Sequence, residues 1–136
     1  EGPYGDLFPA DDRSAGQLWI AGGIGLTPFL SRARSLLPES TADIHLIYCV
    51  QDETRAFFLT ELEAFASKLA GFRLWPHFFG REGALNEAYV TARCPDYANR
   101  DIFVCGPPEL LQAVKEILRR AGVPAARLHS EEFTWL

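Results

Sequence analysis

Short apolar runs alternate along this chain with stretches of helical period. Gln17–Ala21 carries Leu18-Trp19-Ile20-Ala21 and reads as a first buried strand. Ile44–Val50 is almost continuously apolar, as expected of a strand covered on both faces. Phe72–Phe79 predicts a third strand, which Pro76 assigns to a sheet edge. Asp101–Cys105 and Arg127–Phe133 predict a fourth and a fifth. Between them, Pro28–Leu37 reads as a helix. Arg55–Ala70 places Phe58, Leu59, Leu62, Phe65, Ala66 and Leu69 at helical spacing, with Gly71 as its closing residue. The segment 83–93 reads either as a short helix or as irregular chain. Pro108–Ala121 is strongly amphipathic and stops at Gly122 and Pro124.

The resulting order, β-α-β-α-β-α-β-α-β, predicts an α/β fold. It is a doubly wound, five-stranded parallel sheet, in the order 3-2-1-4-5, with helices on both faces and right-handed crossovers. The first sixteen residues, punctuated by Gly2, Pro3, Gly5, Pro9 and Gly16, read as a linker and 17–136 as the domain.

The joint between the first strand and the first helix holds the strongest chemical signal. Ala21-Gly22-Gly23-Ile24-Gly25-Leu26-Thr27-Pro28 is a glycine turn running from a strand into a helix start. Glycines permit a tight turn and a close ligand approach, and a helix start offers N–H groups to an anion. Thr27 suits the N-cap and Pro28 the first helical position. Pro28 also stands where G-x-G-x-x-G would have its third glycine. Cys105-Gly106-Pro107-Pro108 is a second strand-to-helix turn of this kind. In the order 3-2-1-4-5 both turns line one crevice, suited to a pyrophosphate and a flat ring.

With 136 residues, 48% of them hydrophobic, the chain supports one full core. A net charge of −5 with no basic block argues against nucleic-acid binding. No apolar run is long enough for a membrane helix. The start at Glu1 rather than Met reads as a piece of a longer protein. Cys49, Cys94 and Cys105 are too widely spaced for zinc or a disulfide framework, which makes a reducing, cytoplasmic setting the default. His45, His77 and His129 form no metal motif. No nucleophile–base or paired-carboxylate set stands out, which fits a site where a cofactor carries the reaction.

Gly2-Pro3-Tyr4-Gly5, Ala21 to Pro28, Cys105-Gly106-Pro107-Pro108 and Glu131-Glu132-Phe133 recur in family order. Together they resemble the nicotinamide-nucleotide-binding domain of the ferredoxin–NADP⁺ reductase superfamily, over essentially the whole chain. Pro28 is normal in that family. The resemblance implies that Gly22, Gly23, Gly25 and Thr27 meet the pyrophosphate and the nicotinamide side of NADPH or NADH. It implies that Cys105, Gly106 and Pro107 lie beside the nicotinamide, where hydride passes to flavin N5. Cys105 then shapes the hydride site and is not a nucleophile. Glu131 and Phe133 match the C-terminal strand whose aromatic covers the flavin, and Trp135 is a second candidate for stacking. The family's flavin-binding barrel is absent from this sequence. Residues 1–16 are therefore expected to lead in from an upstream FAD-binding β-barrel of the same polypeptide. Alone, the chain is expected to bind nucleotide without efficient turnover.

Within the superfamily, Tyr48–Glu53 and His129–Phe133 look most like the bacterial ferric-reductase-like, NADPH-oxidase-related group. That likeness implies a haem-bearing transmembrane domain and a membrane-associated protein with this domain on the cytoplasmic side. The alternatives are a soluble NADH reductase component, of flavohaemoglobin or oxygenase type, and a non-catalytic nucleotide sensor. NADH versus NADPH stays open. Gln51 stands where ferric-reductase-like members tend to have Arg, Arg55 or Arg81 could read a 2′-phosphate, and Asp52 could hold a free ribose.

Overall fold

The computed structural model describes residues 7–8, 16–36 and 38–132. Its strands are β1 (Gly16–Gly22), β2 (Asp43–Val50), β3 (Phe72–Phe78), β4 (Asp101–Gly106) and β5 (Leu128–Glu132). Its α-helices are α1 (Thr27–Arg34), α2 (Leu59–Lys68), the single turn α3 (Phe79–Glu82), α4 (Glu87–Arg93) and α5 (Pro108–Arg120). All strand pairs are parallel and the sheet order is β3-β2-β1-β4-β5, as the sequence predicts. The winding reverses between β1 and β4. Ala21 there is level with Tyr48 on one side and Cys105 on the other, so the ends of these three strands form one rim.

Strand alternation divides the core. Trp19, Ala21, Leu46, Tyr48, Phe103 and Cys105 pack toward Phe29, Leu30 and Ala33 of α1 and Leu62 of α2. Leu18, Ile20, Ile47, Cys49, Ile102 and Val104 pack toward Val90 of α4 and Leu111, Val114, Ile117 and Leu118 of α5. A parallel sheet covered on both faces needs this apolar continuity, which is why alternation was invisible in β2 and β4. Within the stretch read as a linker, Leu7 is buried, and Phe8 stacks on Phe103 at 4.7 Å and meets Trp19 edge-on at 5.4 Å.

Several boundaries differ from the sequence reading, each for a local reason. The glycine turn itself coils into a 3₁₀ turn, Gly23–Leu26, and α1 then starts at Thr27. Leu26 is therefore the cap. Thr27 is the first helical residue, its hydroxyl donating to Ile24 O at 3.1 Å, and Pro28 is the second. The stretch from Arg55 is not all helix. Asp52 caps a 3₁₀ turn, Glu53–Arg55, by accepting from Thr54 N, and α2 begins only at Leu59. Gly71 is not a left-handed closing residue: among the described glycines only Gly23, Gly83 and Gly122 have positive φ. Gly71 is there because a Cβ would lie 2.2 Å from Ala42 O. Gly122, at φ 72°, does close α5. The segment 83–93 resolves into α4, whose cap Asn86 accepts from Tyr89 N at 2.8 Å.

The opposite rim, where the strands begin, holds a polar network. Arg100 is buried, and its guanidinium donates to both carboxylate oxygens of Asp43, to Asp96 and to the carbonyls of Gln17 and Asp43. Next to it, Trp75 donates to His45 Nδ1 at 2.9 Å, and Arg73 donates to Asp43 at 2.8 Å.

Candidate functional site

The two glycine turns nest into each other at the winding reversal. A Cβ on Gly25 would lie 2.2 Å from Cys105 O. One on Gly22 would lie 2.7 Å from the Leu110 side chain and 3.1 Å from Pro107. One on Gly106 would lie 2.8 Å from Leu110 and 3.4 Å from Gly22 Cα. At Gly25 the obstacle is backbone, so that position admits only glycine if the turns are to touch; at Gly22 and Gly106 it is chiefly the tip of Leu110, which a side chain there would have to displace. Gly23 differs from them. It is exposed, has φ +57°, and a Cβ there would meet nothing within 4 Å. It presents bare backbone to solvent where a helical segment begins, which is the surface an anionic group approaches. Pro107 caps α5, and Pro108 opens it, at the same rim.

Cys105 is fully buried under this joint. Burial pushes its thiol up to about 12, and the Glu131 carboxylate adds to the effect. Glu131 is level with Cys105 on the neighbouring strand. The sulfur is thus a neutral, packed atom and no thiolate. Phe133 and Trp135 lie outside the described residues, as do Gly2, Pro3, Tyr4 and Gly5.

Across the rim, the loop after β2 is tied to the turn after β3. Gly80 N donates to Gln51 O at 2.9 Å, and a Cβ on Gly80 would lie 2.6 Å from that same oxygen. The tie brings Arg81 to Glu53, Nη1 to Oε2 at 2.7 Å, and the guanidinium also sits 4.8 Å over the Phe78 ring. Asp52 has its carboxylate engaged by Thr54 N and Oγ1, and these bonds hold its pKa below the usual carboxylate range. Arg55 is exposed and makes no ion pair among the described residues.

Between the nested turns and this second loop lies an apolar cavity of about 350 Å³. Gly22, Pro107 and Leu110 line it, together with Cys49, His77 and Leu85. His77 is buried; its Nε2 donates to Gly83 O at 2.8 Å and its Nδ1 has no hydrogen-bond partner, with Glu82 Oε2 3.9 Å away.

The structure therefore brings Gly22, Gly25, Cys105, Gly106, Pro107 and Glu131 into one cluster. A second group holds Gln51 and Arg81, joined through Gly80 and Glu53, with Asp52 and Arg55 in the adjoining turn, where Arg55 N donates to Asp52 O at 3.1 Å. The sequence reading missed Cys49, His77, Leu85 and Leu110 as liners. Cys49 and His77 are level on adjacent strands, so the usable signal was that both end apolar strands one residue short of a turn. Among the described residues no group of three or more His, Cys, Asp or Glu could hold a metal ion. No helix among them is long and apolar enough to cross a membrane.

The oxidoreductase NAD-binding domain family matches residues 19–116, which include both glycine turns. The vanillate O-demethylase oxidoreductase of Pseudomonas putida is 37% identical over 94% of this chain and 39% of its own length. The glycine betaine monooxygenase reductase subunit of Chromohalobacter salexigens is 30% identical over 97% of this chain and 39% of its own. The chain thus spans about two fifths of the length of these relatives. Among solved structures, the cytochrome b5 reductase domain of Ulva prolifera nitrate reductase superposes with a TM-score of 0.71 at 27% identity, covering 90% of this chain and 49% of that one. The Amycolatopsis cytochrome P450 reductase, at 23% identity and a TM-score of 0.76 over 94% of this chain and 41% of that one, shares the fold.

Proposed function

This chain belongs to the oxidoreductase NAD-binding domain family, within the ferredoxin–NADP⁺ reductase superfamily, and from that premise we propose that it is the nucleotide half of an oxygenase reductase component. Such a component takes hydride from NADH or NADPH and passes the electrons to an oxygenase. The relatives' names favour this reading over the ferric-reductase-like one, which the likeness of Tyr48–Glu53 suggested. A haem-bearing membrane domain is accordingly no part of the proposal.

The observation that carries it is the nesting of two glycine turns at the winding reversal, beside an apolar cavity. Ligands of doubly wound folds bind at such a reversal. Gly23 and the helix start behind it receive the pyrophosphate. The Thr27 hydroxyl, bonded to Ile24 O, holds that turn in shape. Gly106 and Pro107 form the floor on which the nicotinamide lies, and buried Cys105 fixes their height. Residues 1–16 lead in from a flavin-binding barrel in the same polypeptide, and Glu131, Phe133 and Trp135 are the candidates for the contact with its flavin. FAD, when bound there, supplies the ring that accepts the hydride.

Calorimetric titration with NAD⁺ and NADP⁺ tests the binding half of this reading, and failure of both to bind overturns it. In the barrel-containing protein, Cys105→Ala is expected to slow flavin reduction by NADH more than it weakens nucleotide affinity, because it lowers the nicotinamide floor without touching the pyrophosphate cradle. Stopped-flow absorbance of the flavin reads the two effects separately.

A further inference from the structure

The loop after β2 and the turn after β3 meet at the cavity mouth, where the adenosine end of a nucleotide would project, if the reading above holds. Phe79, Ala84 and Leu85 line the cavity, and Arg81 belongs to the same single helical turn as Phe79. Arg81 is the natural reader of a 2′-phosphate, since a guanidinium matches phosphate geometry with two parallel donors. Here it is already engaged. Glu53 Oε2 accepts from it at 2.7 Å, and the Phe78 ring lies 4.8 Å beneath it. The engagement is built into the backbone, because the Gly80–Gln51 hydrogen bond holds the two loops at the separation the pair requires. The neighbouring Asp52 adds a second carboxylate, held ionised by Thr54.

We propose that the Glu53–Arg81 pair is a selector for nucleotides without a 2′-phosphate. A 2′-phosphate brings roughly two negative charges. To reach Arg81 it must displace Glu53 and then remain beside the displaced carboxylate and Asp52. A free ribose diol meets no such repulsion, and its hydroxyls can donate to either carboxylate. The selector acts through the arginine's partner rather than through the lack of an arginine.

The test is calorimetric titration of the wild type, Glu53→Gln and Glu53→Gln/Arg81→Ala with NAD⁺ and with NADP⁺. Glu53 and Arg81 are both more than half exposed, so the variants are expected to keep the fold, which thermal melts verify. The wild type is expected to bind NAD⁺ more tightly. Glu53→Gln is expected to shift the NADP⁺-to-NAD⁺ affinity ratio toward NADP⁺ by about three- to tenfold, and the double variant to lose that gain. A wild type that prefers NADP⁺, a ratio unmoved by Glu53→Gln, or a gain that survives removal of Arg81 each overturns the proposal while leaving nucleotide binding intact. Failure of both nucleotides to bind the wild type overturns the functional reading and the selector together.

Discussion

Gly25 and Gly23 are two residues apart and glycine for opposite reasons. At Gly25 the obstacle is steric, with Cys105 O where a side chain would begin; at Gly23 it is conformational, with open space but φ +57°. Gly25→Ala must therefore push the two turns apart and is expected to cost about 1–3 kcal/mol in chemical denaturation, with nucleotide affinity lost alongside. Gly23→Ala is expected to cost about 1 kcal/mol, the strain of one left-handed residue. A Gly25→Ala cost well below that of Gly23→Ala, with nucleotide affinity kept, would mean that the turns do not nest as described. The cysteines give a second expectation at this scale. Cys49, Cys94 and Cys105 are all buried, with thiols pushed up to about 12, in each case by burial first. None should be alkylated by iodoacetamide at mildly alkaline pH in the native protein, while all three react after denaturation, as mass spectrometry would show. The sequence made Gly22, Gly25, Cys105 and Gly106 legible, because glycine beside a strand end has few uses. It did not disclose His77 or Leu110, whose roles come from what lies opposite them in space.

Elements were legible where burial alone decides them. The strands read correctly because a parallel sheet with both faces covered leaves few polar positions in its centre. The turns read poorly, because side chains of the turn itself decide them: Asp52 coils 53–55 away from α2, and Gly71 answers a close contact rather than ending a helix. The network at the strand starts shows what an element boundary can contribute to stability. Burial, then the positive charges of Arg100 and Arg73, hold the His45 pKa below its ordinary 6.5. The unfolded chain therefore takes up a proton first on acidification, and stability falls as pH drops below about 6.5, levelling off once pH passes the folded value. Melting temperatures measured from about pH 8 to about pH 5 should show this decline, and His45→Gln should flatten it. Asp96 and Asp43 extend the effect to lower pH. Hydrogen bonds from Arg100 lower Asp96, and in Asp43 those from Arg100 and Arg73 outweigh a burial effect that would raise it. Their contribution is present above the ordinary 3.8 and is lost as pH falls through the depressed folded values.

The molecule as a whole separates two tasks between the rims of one sheet. Strand ends hold the glycine turns, the cavity and the Glu53–Arg81 pair; strand starts hold Arg100 and its partners. The sheet order was legible from the alternation of elements because right-handed crossovers leave few arrangements. The cavity was not, since its walls come from several elements with no shared spacing. One expectation belongs to this scale. A nucleotide bound at the rim stabilises the whole fold, so NAD⁺ at a hundredfold excess over its Kd should add about 2.7 kcal/mol and raise the melting temperature. An unmoved melting temperature would mean that NAD⁺ does not bind the folded chain.

The sheet is open, so among the described residues its outermost strands, β3 and β5, each leave one side without a neighbouring strand. Backbone exposed in this way is a template on which another polypeptide can add itself, and fibrils grow by that route. β3 carries Pro76, which has no N–H to offer, and Arg73; β5 is only five residues long and ends in Glu131 and Glu132. A proline breaks the ladder an incoming chain would need, and paired carboxylates repel a second copy of themselves. The same residues that end the described sheet at five strands therefore work against its growth by strands from another chain.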